Sequence, residues 1–234
     1  MKMFEKLLIE THSLCNRSCP TCLRQSYPTQ RPMTFLPNEL IDKVLSEAVD
    51  MGFSGPVGLV WFNEPLIDPR LDEIATRVKA RGFYVYIDTN GDFITRSIPY
   101  HDFLDEMVIA LYDKDSFDVK KEQIETLLKV PKLSFHMDHI VTHYSPWTDR
   151  LLKQIEEFAQ NPCYDMQRRM IVSATGEMAL CCEDIGLEFD LGNVRDKTLS
   201  ELWFSPKHTE ILETLSEAGG RAHYPYCRSC PRAG

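Results

Sequence analysis

The sequence predicts an α/β fold, a partial parallel β/α barrel followed by a small cysteine-bearing module. Three observations carry this. Short apolar runs alternate with amphipathic helical stretches as far as about residue 160. Most of those runs are near-continuously hydrophobic, as parallel strands covered on both faces are. The eight cysteines cluster toward the two ends of the chain, and residues 23–162 hold none.

In order, the strand candidates are LLIET (7–11), VGLVWF (57–62), FYVYID (83–88), MVIALY (107–112) and LSFHMDHIV (133–141). Between the first two, PNELIDKVLSEAVDMG (37–52) puts Ile41, Val44, Leu45 and Ala48 on one helical face, with Pro37 before it and Gly52 after. DPRLDEIATRVKARG (68–82) predicts a helix capped by Asp68 with Pro69 at its first position. Asp72 and Glu73 sit in its first turn, Arg77, Lys79 and Arg81 near its end, and Gly82 closes it. Ser116 starts a third helix through Lys129. Ser145-Pro146 starts a fourth, striped by Leu151, Leu152, Ile155 and Phe158. Repeating β-α order implies a right-handed parallel sheet, and five strands are too few for a closed eight-stranded barrel.

Composition bounds the function. The 234 residues, 43% hydrophobic and 26% charged, suffice for a sizeable core. A net charge of −9 argues against a nucleic-acid partner. No run approaches the roughly 18 apolar residues of a membrane helix, and the N-terminus lacks a secretory pattern. A cytoplasmic protein is expected, so the cysteines read as metal ligands before disulfides. Their distribution suggests a catalytic unit, 1–160, and a metal-stapled module, 161–234.

The first group, Cys15, Cys19 and Cys22, has the spacing C-x3-C-x2-C just past the first strand, at the sheet edge where α/β proteins display function. Three thiolates can hold three irons of a cubic [4Fe–4S] cluster and leave one iron open to another molecule. Zinc completed by His12 or a remote residue is the competing reading.

CNRSCPTC after a first strand resembles the signature of the radical S-adenosylmethionine (SAM) enzymes. The resemblance implies a partial (β/α)6 TIM-like barrel in which the amino and carboxylate groups of SAM chelate the open iron. It also implies reductive cleavage of SAM to a 5′-deoxyadenosyl radical that takes a hydrogen atom from the substrate. WFNEPLID (61–68) resembles the family's Gly-Gly-Glu-Pro segment, and DTNGDF (88–93) its Thr-Asn-Gly segment. Asn63, Glu64, Pro65 and Asn90 are thereby implied to seat SAM. Phe62 and Asn63 replace the glycines, and Thr21 replaces the usual aromatic before the third cysteine.

MIVSATGEMALCC (170–182) reads as two short strands around Thr175-Gly176. In LGNVRDKTLSELWFSP (191–206), Thr198 and Glu201 form a capping box, and Ser205-Pro206 ends one helix and can start another. Ile211, Leu212 and Leu215 are that helix's apolar face and Gly219-Gly220 its stop. CRSC (227–230) follows. The arrangement resembles the α+β SPASM/twitch extension of radical SAM enzymes. That resemblance implies a second [4Fe–4S] cluster held by Cys163, Cys181, Cys227 and Cys230. Adjacent strand residues face opposite sides, so Cys182 is left as a packed thiol, with a swap between Cys181 and Cys182 open. Four cysteines also suit structural zinc.

The short plan is similar to twitch-type dehydrogenases that oxidise a secondary alcohol in a small cyclitol and pass an electron to the auxiliary cluster. VTHYSPW (141–147) departs from the Asn-Arg-Gly segment of such enzymes, so their substrate is not carried over. If Phe135 and Met137 face the helices, then Ser134, His136 and Asp138 point into the lumen. Tyr112, His136 and Asp138 are the substrate-side candidates, whereas Trp61, Trp147 and Trp203 read most simply as core or domain contacts. The expected function is dehydrogenation of a small hydroxylated metabolite, with flavodoxin or ferredoxin as reductant. Epimerisation or modification of a peptide presented by a separate partner is the alternative enzyme reading. A zinc-stabilised binding protein or an electron-transfer module is the non-enzyme reading.

Overall fold

The computed structural model describes residues 2–19, 22–26, 31–94, 102–111, 117–137 and 157–230. Its strands are β1 (Lys6–Ile9), β2 (Val57–Gly58), β3 (Val85–Thr89), β4 (Glu106–Leu111), β5 (Lys132–Met137), β6 (Arg169–Val172) and β7 (Met178–Ala179). They form one sheet in the order β5-β4-β3-β2-β1-β6-β7, parallel from β5 to β6, with β7 antiparallel. The described helices are α1 (Leu23–Ser26), α2 (Asn38–Asp50), α3 (Leu71–Ala80), α4 (Phe117–Leu127), α5 (Leu199–Trp203), α6 (Pro206–Leu215) and α7 (Pro225–Arg228).

The strands appear where the apolar runs are, and their two faces differ in kind. Leu7, Ile9, Val85, Ile87, Met107 and Ile109 point into the main core with the helices. Leu8, Tyr86, Val108 and Ala110 line the opposite, lumen face. On β5, Phe135 packs toward the core under Lys121 of α4, whose Nζ lies 5.7 Å from the ring centroid. That places Phe135 on the helix side, as the alternation predicts. Gly58 is required by close approach, because a Cβ there would lie 2.6 Å from the Tyr86 ring. Helix α2 buries the predicted Ile41, Val44, Leu45 and Ala48. Each such side chain stabilises the fold by about 1–3 kcal/mol.

Two local expectations change. Asp68 does not cap α3, which begins at Leu71 with Arg70 at its N-cap position and no side-chain cap. Instead the buried Asp68 carboxylate takes the Arg70 guanidinium through both oxygens, at 3.0 and 2.9 Å. Arg70 then reaches the Leu36 and Thr11 carbonyls and Asn38 Oδ1. Asp68 Oδ1 also accepts from the Arg70 amide at 3.0 Å, so the carboxylate is taken up by Arg70, ahead of the first helical residue. Residue 61 is the other: Trp61 keeps its expected core contact, against Leu8, Ile171 and Ala179, and adds a lumen-facing side. Trp61 lines the lumen under Arg31, whose Cζ is 4.8 Å from its ring, whereas Trp203 is fully buried as predicted. Trp147 and the start of the fourth predicted helix lie outside the described residues.

The strand of the C-terminal hairpin joins the barrel sheet. Lys6 to Ile9 pair in parallel with Arg169 to Val172, so the sheet runs across residue 160. The packing does too. Trp203 meets Phe4 edge to face and donates from Nε1 to the Lys2 carbonyl at 2.9 Å. Lys43 of α2 donates to the Val194 and Lys197 carbonyls. The Thr198–Glu201 capping box and the Ser205 cap of α6 form as predicted. No helix among the described residues is long and apolar enough to cross a membrane.

Candidate active site

The segment carrying Cys15, Cys19 and Cys22 leaves β1 and lines a cavity of about 790 Å³ that occupies the barrel lumen. All three thiols share this wall. The Cys22 amide donates to the Cys19 carbonyl at 3.0 Å. Burial pushes the Cys22 thiol pKa up, the neighbouring Cys19 and Cys15 push it further, and Arg24 pulls it back.

Side chains from the next strands clamp this loop. Arg24 donates to the Ser13 and Phe62 carbonyls, and the Glu64 amide donates to the Leu14 carbonyl at 2.8 Å. Asn16 meets Asn90 at 2.9 Å and Asp92 at 2.8 Å, while Arg17 grips Asp92 through two nitrogens. That ion pair, followed by Asn16, holds the Asp92 carboxyl below its usual range. The loop's return is fixed by Arg31, bidentate at 2.8 and 2.6 Å to the fully buried Glu10. Sequence reading missed this clamp, because its partners lie far apart in the chain.

The two segments beyond β2 and β3 are joined through Glu64. Its carboxylate accepts from Thr89 Oγ1 at 2.5 Å, the Asn90 amide at 2.8 Å and the Leu66 amide at 3.2 Å. Burial raises its pKa, against the pull of those three donors. Gly91 follows at φ +76°, a left-handed turn that favours glycine. Pro65 opens a short 3-10 turn, Pro65–Ile67. Asn63, Glu64 and Asn90 all line the cavity. Asn63 Oδ1 accepts from the Trp61 amide. Its buried Nδ2, like Trp61 Nε1, has no hydrogen-bond partner among the described residues, leaving donors for a polar ligand.

Glu64 thus anchors the second and third strand ends to each other. Glu64→Ala is expected to leave three buried donors unmatched and to cost about 3 kcal/mol in urea unfolding.

His12, the competing zinc donor, is fully buried outside this cavity wall, and its Nδ1 accepts from the Leu14 amide at 3.0 Å. Tyr112 and Asp138 lie outside the described residues. His136 sits in β5 across from Ala110, and its side chain likewise lies outside the description. Among the described residues, Tyr86, Asp88, Arg169, Cys182 and Glu183 also line this cavity.

The C-terminal cysteines form a second group. Cys163, Cys181, Cys227 and Cys230 line one small cavity with Met166, Leu180, Leu215, Tyr226 and Arg221. Burial raises the Cys163 thiol and drives Cys181 well above its ordinary range. Cys227 is pushed up to about 12, by burial first and then by its thiol neighbours. Cys182 opens on the lumen cavity, and its Sγ lies 3.6 Å from Asp165. Consecutive cysteines therefore face two different chambers. Among the described residues no three donors converge closely enough to close on a bare metal ion. Three thiols are the donor number of a [4Fe–4S] cluster with one open corner, and four that of a fully ligated one.

Comparisons with known proteins agree with this geometry. Residues 163–231 match the SPASM iron–sulfur cluster-binding domain. The chain is 22% identical, over 98% of its length and 93% of the relative's, to an S-adenosyl-L-methionine-dependent 2-deoxy-scyllo-inosamine dehydrogenase of Niallia circulans. It is 32% identical over 38% of its length, and 24% of the relative's, to a tungsten-containing aldehyde ferredoxin oxidoreductase cofactor-modifying protein of Pyrococcus furiosus. Among solved structures, BtrN in complex with AdoMet and 2-DOIA superposes with a TM-score of 0.78 at 20% identity, over 99% of this chain and 94% of that one. Native anSMEcpe with bound AdoMet gives 0.61 at 13%, over 97% and 88%. Residues 163–231 are thus a SPASM iron–sulfur cluster-binding domain, and the chain as a whole shares the fold of BtrN and anSMEcpe.

Proposed function

We propose that the chain catalyses SAM-dependent dehydrogenation of a small hydroxylated metabolite. The observation that carries this reading is the Cys181–Cys182 step, which sets the auxiliary thiols directly behind the wall of the lumen cavity. The dehydrogenase relative, which resembles the chain along nearly its whole length, supports the same chemistry. When bound, SAM and the open cluster would supply a 5′-deoxyadenosyl radical to take the carbinol hydrogen atom, the auxiliary cluster would accept the remaining electron, and the hydroxyl proton would leave to solvent as the carbonyl forms.

The chain's own residues then have separate tasks. Cys15, Cys19 and Cys22 hold the first cluster, and the clamp through Asn16, Arg17 and Asp92 fixes the loop that carries them. Asn63 offers its Nδ2 to SAM. Glu64 and Asn90 shape the same pocket, with Glu64 holding the Asn90 backbone in place, and Pro65 supports them from the buried turn behind it. Cys163, Cys181, Cys227 and Cys230 hold the auxiliary cluster. Asp88, Arg169 and Glu183 present charge of both signs to a polar substrate, and Tyr86 gives it an aromatic floor. Residues 1–160 and 161–234 act as two chemical units on one sheet. The enzyme works in the reducing cytoplasm with flavodoxin or ferredoxin as electron donor.

Anaerobic reconstitution tests the reading. The protein should bind about eight irons per chain. With SAM and reductant it should release 5′-deoxyadenosine, and with a polyol or amino-polyol panel it should form one carbonyl product per SAM cleaved. Zinc without SAM cleavage would indicate a binding protein, and iron without cleavage an electron carrier. Turnover only with a peptide would replace the small-metabolite substrate, since solved relatives include SuiB bound to its precursor peptide SuiA.

A further inference from the structure

A fully buried guanidinium stands among the auxiliary cysteines. Arg221 is 1% exposed and lines the same small cavity as Cys163, Cys181, Cys227 and Cys230. It is delivered there by Gly219 and Gly220, which the sequence marks only as a helix stop. Gly219 adopts φ +78°, and a Cβ on Gly220 would lie 1.8 Å from the Thr214 carbonyl oxygen. The chain therefore folds back tightly under α6, and the 3-10 turn Gly220–His223 carries Arg221 inward.

Placing a permanent cation in an apolar cavity costs several kcal/mol unless negative charge offsets it. Thiols that ligate a metal centre are thiolates, so a centre held by these four cysteines sets negative charge beside the guanidinium.

We propose that Arg221 tunes the auxiliary cluster as an electron acceptor, its fixed charge favouring the reduced state over the oxidised one. This rests on the reading that the four cysteines hold [4Fe–4S]. A thiolate-ligated cluster carries net negative charge that grows by one unit on reduction. A cation at fixed distance stabilises the more negative state more, so the reduction potential rises. Electron uptake is then easier at this cluster than at an otherwise identical site without the cation. Arg221 is a positioning residue for charge; it need touch no substrate.

The test is a reductive titration of the reconstituted full-length protein followed by EPR. Adding SAM distinguishes the clusters, because it perturbs only the signal of the one that binds it. Arg221→Met is expected to keep about eight irons per chain. Its auxiliary midpoint should move to more negative potential by at least tenfold in the electron-uptake constant, about 59 mV for one electron. Arg221→Lys, which keeps the charge, should stay near the parent value. An Arg221→Met protein with a full cluster and an unmoved midpoint overturns the proposal. If Arg221→Met loses the auxiliary cluster, Arg221→Lys decides. A cluster retained at the parent potential supports the charge requirement, whereas a lost cluster or a lowered potential shows a role in shape or hydrogen bonding and overturns it. Zinc at this site in the parent protein, seen by metal analysis before any titration, overturns the underlying reading as well.

Discussion

Cys19→Ala protein is expected to bind about four irons per chain instead of about eight, and to release no measurable 5′-deoxyadenosine. The reason is ligand count. A cube held at three corners presents one open iron, and removing a thiolate leaves two attachments with a second corner open to water. The clamp from Asn16, Arg17 and Asp92 makes the comparison clean, because it fixes the loop through contacts that do not involve the Cys19 thiol. The fold should therefore survive. The auxiliary cysteines line a separate cavity and should keep their iron. A fall in SAM cleavage of at least about three orders of magnitude, about 4 kcal/mol in the barrier, is the expected size. Product analysis by chromatography together with iron and labile-sulfide determination reads both effects. Parent-level cleavage by Cys19→Ala would remove the three-thiol site from the mechanism.

The sequence made the chemistry of this chain more legible than its topology. Cysteine spacing is local, and so is the apolar face of α2, so both were readable from a few consecutive residues. Strand pairing between Lys6–Ile9 and Arg169–Val172 joins segments some 160 residues apart, and nothing in either segment names its partner. The same limit hid the Asn16–Asn90 and Arg17–Asp92 contacts, which connect a cysteine loop to the end of the third strand. Asp68 failed as a cap for a related reason. Its sequence position suits a helix start, but Arg70, two residues on, takes the buried carboxylate with both its guanidinium and its amide, and the helix begins only after it. Arg221 gave no sequence signal as a functional residue, since one arginine after two glycines reads as an ordinary surface turn. Only its burial among four thiols distinguishes it. Conversely, the Thr198–Glu201 box was legible because both partners of a capping box lie within one turn.

Adjacent cysteines should respond in opposite ways. Cys181→Ala is expected to lose the auxiliary cluster, while Cys182→Ala keeps both. The strand ends at Ala179, and in the bend that follows Cys181 faces the buried cavity of Cys163, Cys227 and Cys230 while Cys182 faces the lumen. A swap of ligands would require the chain just past β7 to turn over, carrying with it Asp184, whose carboxylate accepts from the Leu180 and Glu188 amides at 2.9 Å each. Those bonds lock the segment, so Cys182 cannot stand in. Removing Cys181 should bring iron down to about four per chain and reduce carbonyl product by at least about a hundredfold, about 2.7 kcal/mol. Cleavage of SAM should continue, because the first cluster and its cavity wall are untouched, so 5′-deoxyadenosine would accumulate without matching product. That uncoupling separates an electron-accepting auxiliary cluster from a merely structural one, which would fail in folding and cleavage together. Product formed in parent ratio by a Cys181→Ala protein with only half its iron would mean that the substrate's electron leaves by another route.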